Sequence, residues 1–278
     1  MKRFTTRERL IMALFGSQRR LAHALEDKVR LIVPADPGSE QLLAAVQLYD
    51  PGARRDGSRI SVDSGSVLLT APTEIDADTA RRAQLPPGLS VVYFVDIPEW
   101  RGSPTQVSQA REAKRNATSS ALRLIGGLAA RLGGIAVPAA PETTEPLHAD
   151  VYTTRPVTAD DVAGLAAPQA PGLAPVPTPA SSDGVVTLRA DSAPFEVECW
   201  PAGNALRTMD PPAALGATGG GLRLARIIVR AAQQADSADP GLARAVGEAG
   251  LAIAAGTGGV CVDLFGFRVA RPDDLVIR

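Results

Sequence analysis

Five side chains of this 278-residue chain have the types and spacing of a recognition patch: Trp100, Arg189, Glu196, Glu198 and Trp200. In Phe195-Glu196-Val197-Glu198-Cys199-Trp200 the apolar residues Phe195, Val197 and Cys199 alternate with Glu196, Glu198 and Trp200, the period of a strand. One face of such a strand meets a core, and the other shows two carboxylates and an indole. Arg189 follows Val185-Val186-Thr187-Leu188 closely enough to pair with those carboxylates across neighbouring strands. Trp100 and Trp200 hold comparable places at or just beyond two strand runs. Such rings buttress a fold or rim a pocket.

The inventory for catalysis is thin. Of the two histidines, His23 falls in an N-terminal helical pattern and His148 in a linker, neither beside a nucleophile and an acid. Asp96 and Asp263 lie at strand ends without forming a symmetric pair, so each is expected at an edge or in a loop. Residues Gly216 to Gly221 precede an apolar run from Leu222, a setting in which backbone amides can cradle an anion. No lysine of a phosphate loop follows, and a flexible entry turn is the expectation. Cys199 and Cys261 sit in apolar runs without zinc spacing and read as buried free thiols, bridged only if their strands are neighbours. No catalytic residue, cofactor or metal site is expected.

Composition narrows the classes further. The net charge of −1 lacks the basic excess of a nucleic-acid binder, and Glu196 and Glu198 would repel phosphate on an open sheet. Lysine occurs only at positions 2, 28 and 114, the other basic residues being arginine, a bias that suggests a GC-rich bacterial source. No run approaches the roughly 18 apolar residues of a membrane span. The start of the chain lacks a small-residue cleavage site, so a cytoplasmic protein is expected.

The elements that must position the patch come from periodicity. Residues 5–27 form an amphipathic helix by spacing, with Leu10, Ile11, Leu14, Phe15, Leu21 and Leu25 on one stripe. Val29–Val33 reads as a strand, followed by a helix from Ser39 through Leu48 and strands at 66–70 and 90–97. A short helix is expected between those strands, at 76–84. The last of them alternates Val91, Tyr93, Val95 and Ile97 with Val92 and Phe94, apolar on both faces, so something must cover the second face. The other unit's sheet, the N-terminal helix, a second subunit and an apolar ligand are the candidates. A long helix over about 105–132 ends at Gly133-Gly134, before Ile135-Ala136-Val137.

The same succession recurs. A strand at 150–154 precedes a helix capped by Thr158, with Asp160 and Asp161 in its first turn. Strands at 185–188 and 195–200 follow, then a helical region divided into 222–234 and 241–255. Leu128 to Val137 reads against Ile253 to Val262: an apolar helix end, a double glycine and a β-branched run in both. The trailing segment adds an edge strand at 275–277.

The order β-α-β-β-α-β in both halves predicts an α+β fold, a tandem duplication of a ferredoxin-like unit with antiparallel sheets and helices on one face. The divisions are an N-terminal helix (1–28), a first unit (29–138), a proline-rich linker (139–148) and a second unit (149–278). The second unit carries a proline-rich insert at 168–180. The function expected from these features is non-catalytic binding, to a protein partner or a second copy of the chain, through sheet, loop or N-terminal helix. The alternative is a small-molecule enzyme or cofactor protein with a cavity between paired units.

Overall fold

The computed structural model describes residues 21, 24–25, 28–98, 107–139, 147–176, 184–201, 214–215, 225–232 and 239–275. It is a mixed α+β structure with antiparallel sheets, and it divides into two compact units. The first comprises Met1–Leu43 with Arg54–Ala140, the second Ala44–Ala53 with Pro141–Arg278. No helix among the described residues is long and apolar enough to cross a membrane.

In the first unit β1 (Arg30–Val33) leads into α1 (Ser39–Tyr49), which runs on into the stretch grouped with the second unit. Then come β2 (Arg54–Asp56), β3 (Arg59–Val62), β4 (Val67–Leu69), β5 (Thr73–Glu74), α2 (Ala77–Arg82), β6 (Val91–Asp96), α3 (Val107–Leu132) and β7 (Ile135–Val137). The strands lie in the order β2-β3-β4-β6-β1-β7, with β5 paired to β6. The polar stretch between α1 and β4 thus holds a β-hairpin, β2 and β3. Arg54, Arg55, Asp56 and Arg59 make it read as a polar loop, and the alternation of Ile60 and Val62 with Arg59 and Ser61 is only four residues long.

The second unit runs β8 (His148–Thr153), α4 (Ala159–Ala166), β9 (Ala174–Pro175), β10 (Val186–Arg189), β11 (Phe195–Trp200), β12 (Ala225–Ala231), α5 (Pro240–Thr257) and β13 (Val260–Asp263). Its sheet order is β13-β8-β12-β11-β10-β9. In both sheets the last strand lies beside the first, and the remaining strands then recede in reverse chain order.

The helix expected over 222–234 is corrected by β12. Ile227-Ile228-Val229 stiffens the backbone towards the extended form, and β12 pairs along its whole length with β11 and β8. The edge strand expected at 275–277 is also replaced: Pro272–Leu275 is a turn of 3₁₀ helix, and 276–278 lie outside the described residues. His148, expected in the linker, is the first residue of β8 and is buried.

Helix starts follow the expected chemistry. The Thr158 hydroxyl accepts from the Asp161 amide, while the Asp161 carboxylate accepts from the Thr158 amide and hydroxyl. These bonds hold the Asp161 carboxyl below its ordinary pKa. Asp239 caps α5, whose first residue is Pro240, a position that needs no amide donor.

The double glycines close both sheets in the same way. Gly133 and Gly258 both have φ of 65°, the left-handed conformation that ends a helix. Gly134 and Gly259 then run against the first strand of their own sheet. A Cβ there would sit 2.6 Å from the Tyr152 carbonyl oxygen at Gly259, and closer still to the Ile32 carbonyl oxygen at Gly134. Both amides donate back into their helices, Gly134 to Ala129 and Gly259 to Ala254.

The helix-side core of the second unit is continuous. Val162 and Ala166 of α4 and Leu242, Val246, Ala249 and Ile253 of α5 pack on Ala149, Val151, Val197, Ile227 and Val229. Both helices therefore lie on one face of that sheet. In the first sheet the opposite face is covered as well. Ile32, Val92, Phe94, Ile135 and Val137 pack with Leu21, Leu25, Ile75, Ala80 and Ala83. Leu21, Ala24 and Leu25 are helical, so this end of the expected N-terminal helix supplies part of the cover. The rest of that helix lies outside the described residues.

Candidate functional site

The face of the second sheet turned away from its helices is polar, and register builds it row by row. Directly opposed residues share a face. Glu196 opposes Arg230, which opposes His148. Glu198 opposes Ile228, which opposes Asp150, and Trp200 opposes Arg226, which opposes Tyr152. Arg189 and Thr187 of β10 extend the rows, Thr187 opposing Glu198.

Ion pairs and hydrogen bonds tie these residues together. Arg189 Nε donates to Glu196 Oε2 at 2.6 Å, and Arg230 Nη1 reaches Glu198 Oε1 at 3.0 Å. The Trp200 indole N–H donates to Glu198 Oε2 at 3.2 Å. Arg226 Nη2 donates to Asp150 Oδ2 at 2.7 Å, with His148 Nε2 4.0 Å from the same oxygen. Three arginines meet three carboxylates, so the ladder is charge-balanced. A buried pair is held by its geometry, because separating the partners would leave a charge without solvation.

Exposure grades across the ladder. His148, Asp150, Arg226 and Glu196 are buried, Glu198 and Trp200 half-buried, and the Arg189 side chain is 56% exposed. Ala214 and Leu215 pack on Tyr152 and Val262 at the β13 end.

The structure thus joins four of the five expected residues, Arg189, Glu196, Glu198 and Trp200, on one face. Trp100 lies outside the described residues, as do His23 and the 216–221 glycines. Sequence reasoning missed Arg226 and Arg230, because their spacing of four fits a helix face as well as a strand. Alternation with Ile227 and Val229 was the signal that separates the two. His148 was missed because β8 starts two residues before the expected strand, and Asp150, though placed in that strand, because its partner Arg226 lay in the segment read as helix.

Asp96 pairs loosely with Lys28, at 3.5 Å. Asp263 is buried, where its Oδ1 accepts from the amides of Phe265 and Phe267 and holds the turn after β13.

Cys199 and Cys261 are free thiols. They sit on β11 and β13, separated by β12 and β8. Three strand spacings, roughly 14 Å, exceed the reach of a disulfide. Burial pushes both thiols up to about 12, Cys261 with help from the charges of Asp150 and Asp263. Among the described residues no group of three His, Cys, Asp or Glu could hold a metal ion.

Comparison with family models, with curated proteins and with solved structures returns no match to this chain.

Proposed function

We propose that this protein is a non-catalytic binding protein of two duplicated ferredoxin-like units, which engages a protein partner through the polar face of its second sheet. The duplication is supported by the shared strand order and by double glycines that do the same work at both helix ends. In each sheet the strands β7-β1-β6-β4 and β13-β8-β12-β11 have the 4-1-3-2 arrangement of a split βαβ unit, with further strands added at one edge. Two thiols left unbridged agree with a reducing, cytoplasmic setting.

The binding reading is carried by the ladder Arg189–Glu196, Arg230–Glu198 and Trp200–Glu198. Arginine and tryptophan dominate the residues that anchor protein interfaces. Here both are fixed by hydrogen bonds before any partner arrives, which lowers the entropy lost on docking. The buried inner end anchors the rows, and the exposed outer end at Arg189 offers them.

A photo-crosslinking amino acid placed in turn at positions 189 and 200 tests this in the source cells, with exposed position 82 of α2 as the control. A discrete adduct formed from 189 and 200 but not from 82 is expected, and light scattering of the purified protein shows whether the partner is a second copy. Equal adducts from all three positions, or none from 189 and 200, overturn the reading.

A further inference from the structure

The first unit holds a cavity of about 300 Å3 beside its β-hairpin, lined by Ser39, Leu42, Arg55, Arg59, Ile60 and Tyr93 among others. Its position follows from the hairpin. Asp56 opposes Arg59, so the loop is two residues long, and Gly57 at φ 61° takes the left-handed first position of a tight hairpin turn. Arg55 lies directly opposite Ile60, so both belong to one sheet face, which places the Arg55 side chain on the cavity's side.

The charge of the lining is what selects a ligand. Among the described residues neither Arg55 nor Arg59 has an ion-pair partner, in contrast to every arginine of the second sheet's ladder. The acidic side chain in the same lining, Asp36, is already engaged. Its Oδ1 accepts from the Tyr93 hydroxyl at 2.6 Å and from the Gly38 amide at 2.8 Å. Burial first, and then the Asp36 carboxylate, raise the Tyr93 pKa, so the phenol stays protonated as that donor. Two guanidiniums without ion-pair partners against one hydrogen-bonded carboxylate leave the lining net positive. A neighbouring cavity of about 440 Å3 shares Asp36 and Pro72 but brings Glu74 in place of arginine, the wrong sign for an anion.

We propose that the hairpin cavity of the first unit is a binding site for a small organic molecule bearing one phosphate or carboxylate group. Arg55 and Arg59 would take the oxyanion, since a guanidinium presents paired donors that match either group. Leu42, Ile60 and Pro72 supply the apolar wall for the rest of the molecule. This site shares no residue with the ladder of the second sheet, so either proposal can fail alone.

Calorimetric titration with phenyl phosphate and with benzoate, at about 0.15 M ionic strength, tests the site. Saturable binding of at least one probe is expected, and the tighter of the two identifies the preferred oxyanion. Arg55→Gln should weaken that probe about tenfold, the loss of one charge-assisted contact, and Arg59→Gln by a smaller factor. Arg54→Gln is the control: it removes the same charge from the same hairpin, but Arg54 opposes Ser61 and does not line the cavity. Its binding should stay within about twofold of the parent, because screened charge alone is weak. All three arginines are exposed, so the variants should keep the parent's thermal midpoint. Failure of both probes to bind, or an equal loss in Arg54→Gln and Arg55→Gln, overturns the proposal.

Discussion

The outer face of the first sheet carries Ile32, Val92, Phe94, Ile135 and Val137, whereas that of the second carries His148, Asp150, Arg226, Arg230, Glu196 and Glu198. Register makes the contrast position by position. Ile32 is flanked by Val92 and Ile135; Tyr152, backed by the equivalent glycine, is flanked by Arg226 and Val260. Two residues earlier, Arg30 opposes Phe94 where Asp150 opposes Ile228, so even the buried charge changes sign. The strand order and the glycine closures are alike while the outer faces are not. Strand order is therefore compatible with either a greasy floor or an ion-pair ladder on the far side.

The sharpest break in that comparison is Asp150→Ala. It removes the Oδ2 that accepts from the buried Arg226 guanidinium and should cost about 3–5 kcal/mol in urea unfolding. A cost under about 1 kcal/mol would mean the ladder is solvated and the contrast between faces superficial. Gly134→Ala and Gly259→Ala come next, at about 3 kcal/mol or more each, because a backbone carbonyl blocks the new methyl and cannot rotate away. Tolerance at one site only would separate the two closures that otherwise match.

The thiols give a pH test confined to the second unit. Their folded values near 12 lie above the ordinary 9, so the folded state holds protons that the unfolded state releases. Stability should be unaffected below about pH 9 and fall as pH rises from there towards 12. Cys199→Ser with Cys261→Ala should flatten that limb. The aromatic-disulfide thiol reagent at pH 8 should find no reactive thiol until the chain is denatured. On the apolar floor, Ile32→Val should cost about 1 kcal/mol, the loss of one buried methylene. Arg189→Ala should cost least, under about 1 kcal/mol, since its partner pair is largely exposed on the arginine side. That small stability cost lets the same variant report on binding without unfolding the sheet.

Much of the scaffold was legible because local rules agreed with the fold. Glu196 and Glu198 alternating with Phe195 and Val197 gave β11 and its polar face, and Arg189 was placed as their partner. Thr158 with Asp161, and Pro240, marked helix starts through hydrogen-bonding needs that act within one turn. The segment around Arg226 was not legible, since an arginine pair four apart, next to alanines, satisfies helical periodicity. What decided it was the vacant place between β8 and β11, where a strand gains two ladders of backbone hydrogen bonds. The short strands β2, β5 and β9 were hidden for a related reason: with two or three residues each, they exist only as partners of neighbours.

By itself the sequence determined the alternations, the caps and the repeated double glycine, because each depends on a steric or hydrogen-bonding need within a few residues. Only the tertiary structure decided that Arg226 and Arg230 complete the carboxylate rows. It also decided that the cysteines lie three strands apart, and that Arg55 and Arg59, without ion-pair partners among the described residues, line one cavity. Those facts join residues tens of positions apart, and which charges meet depends on strand order and register, which no local pattern encodes.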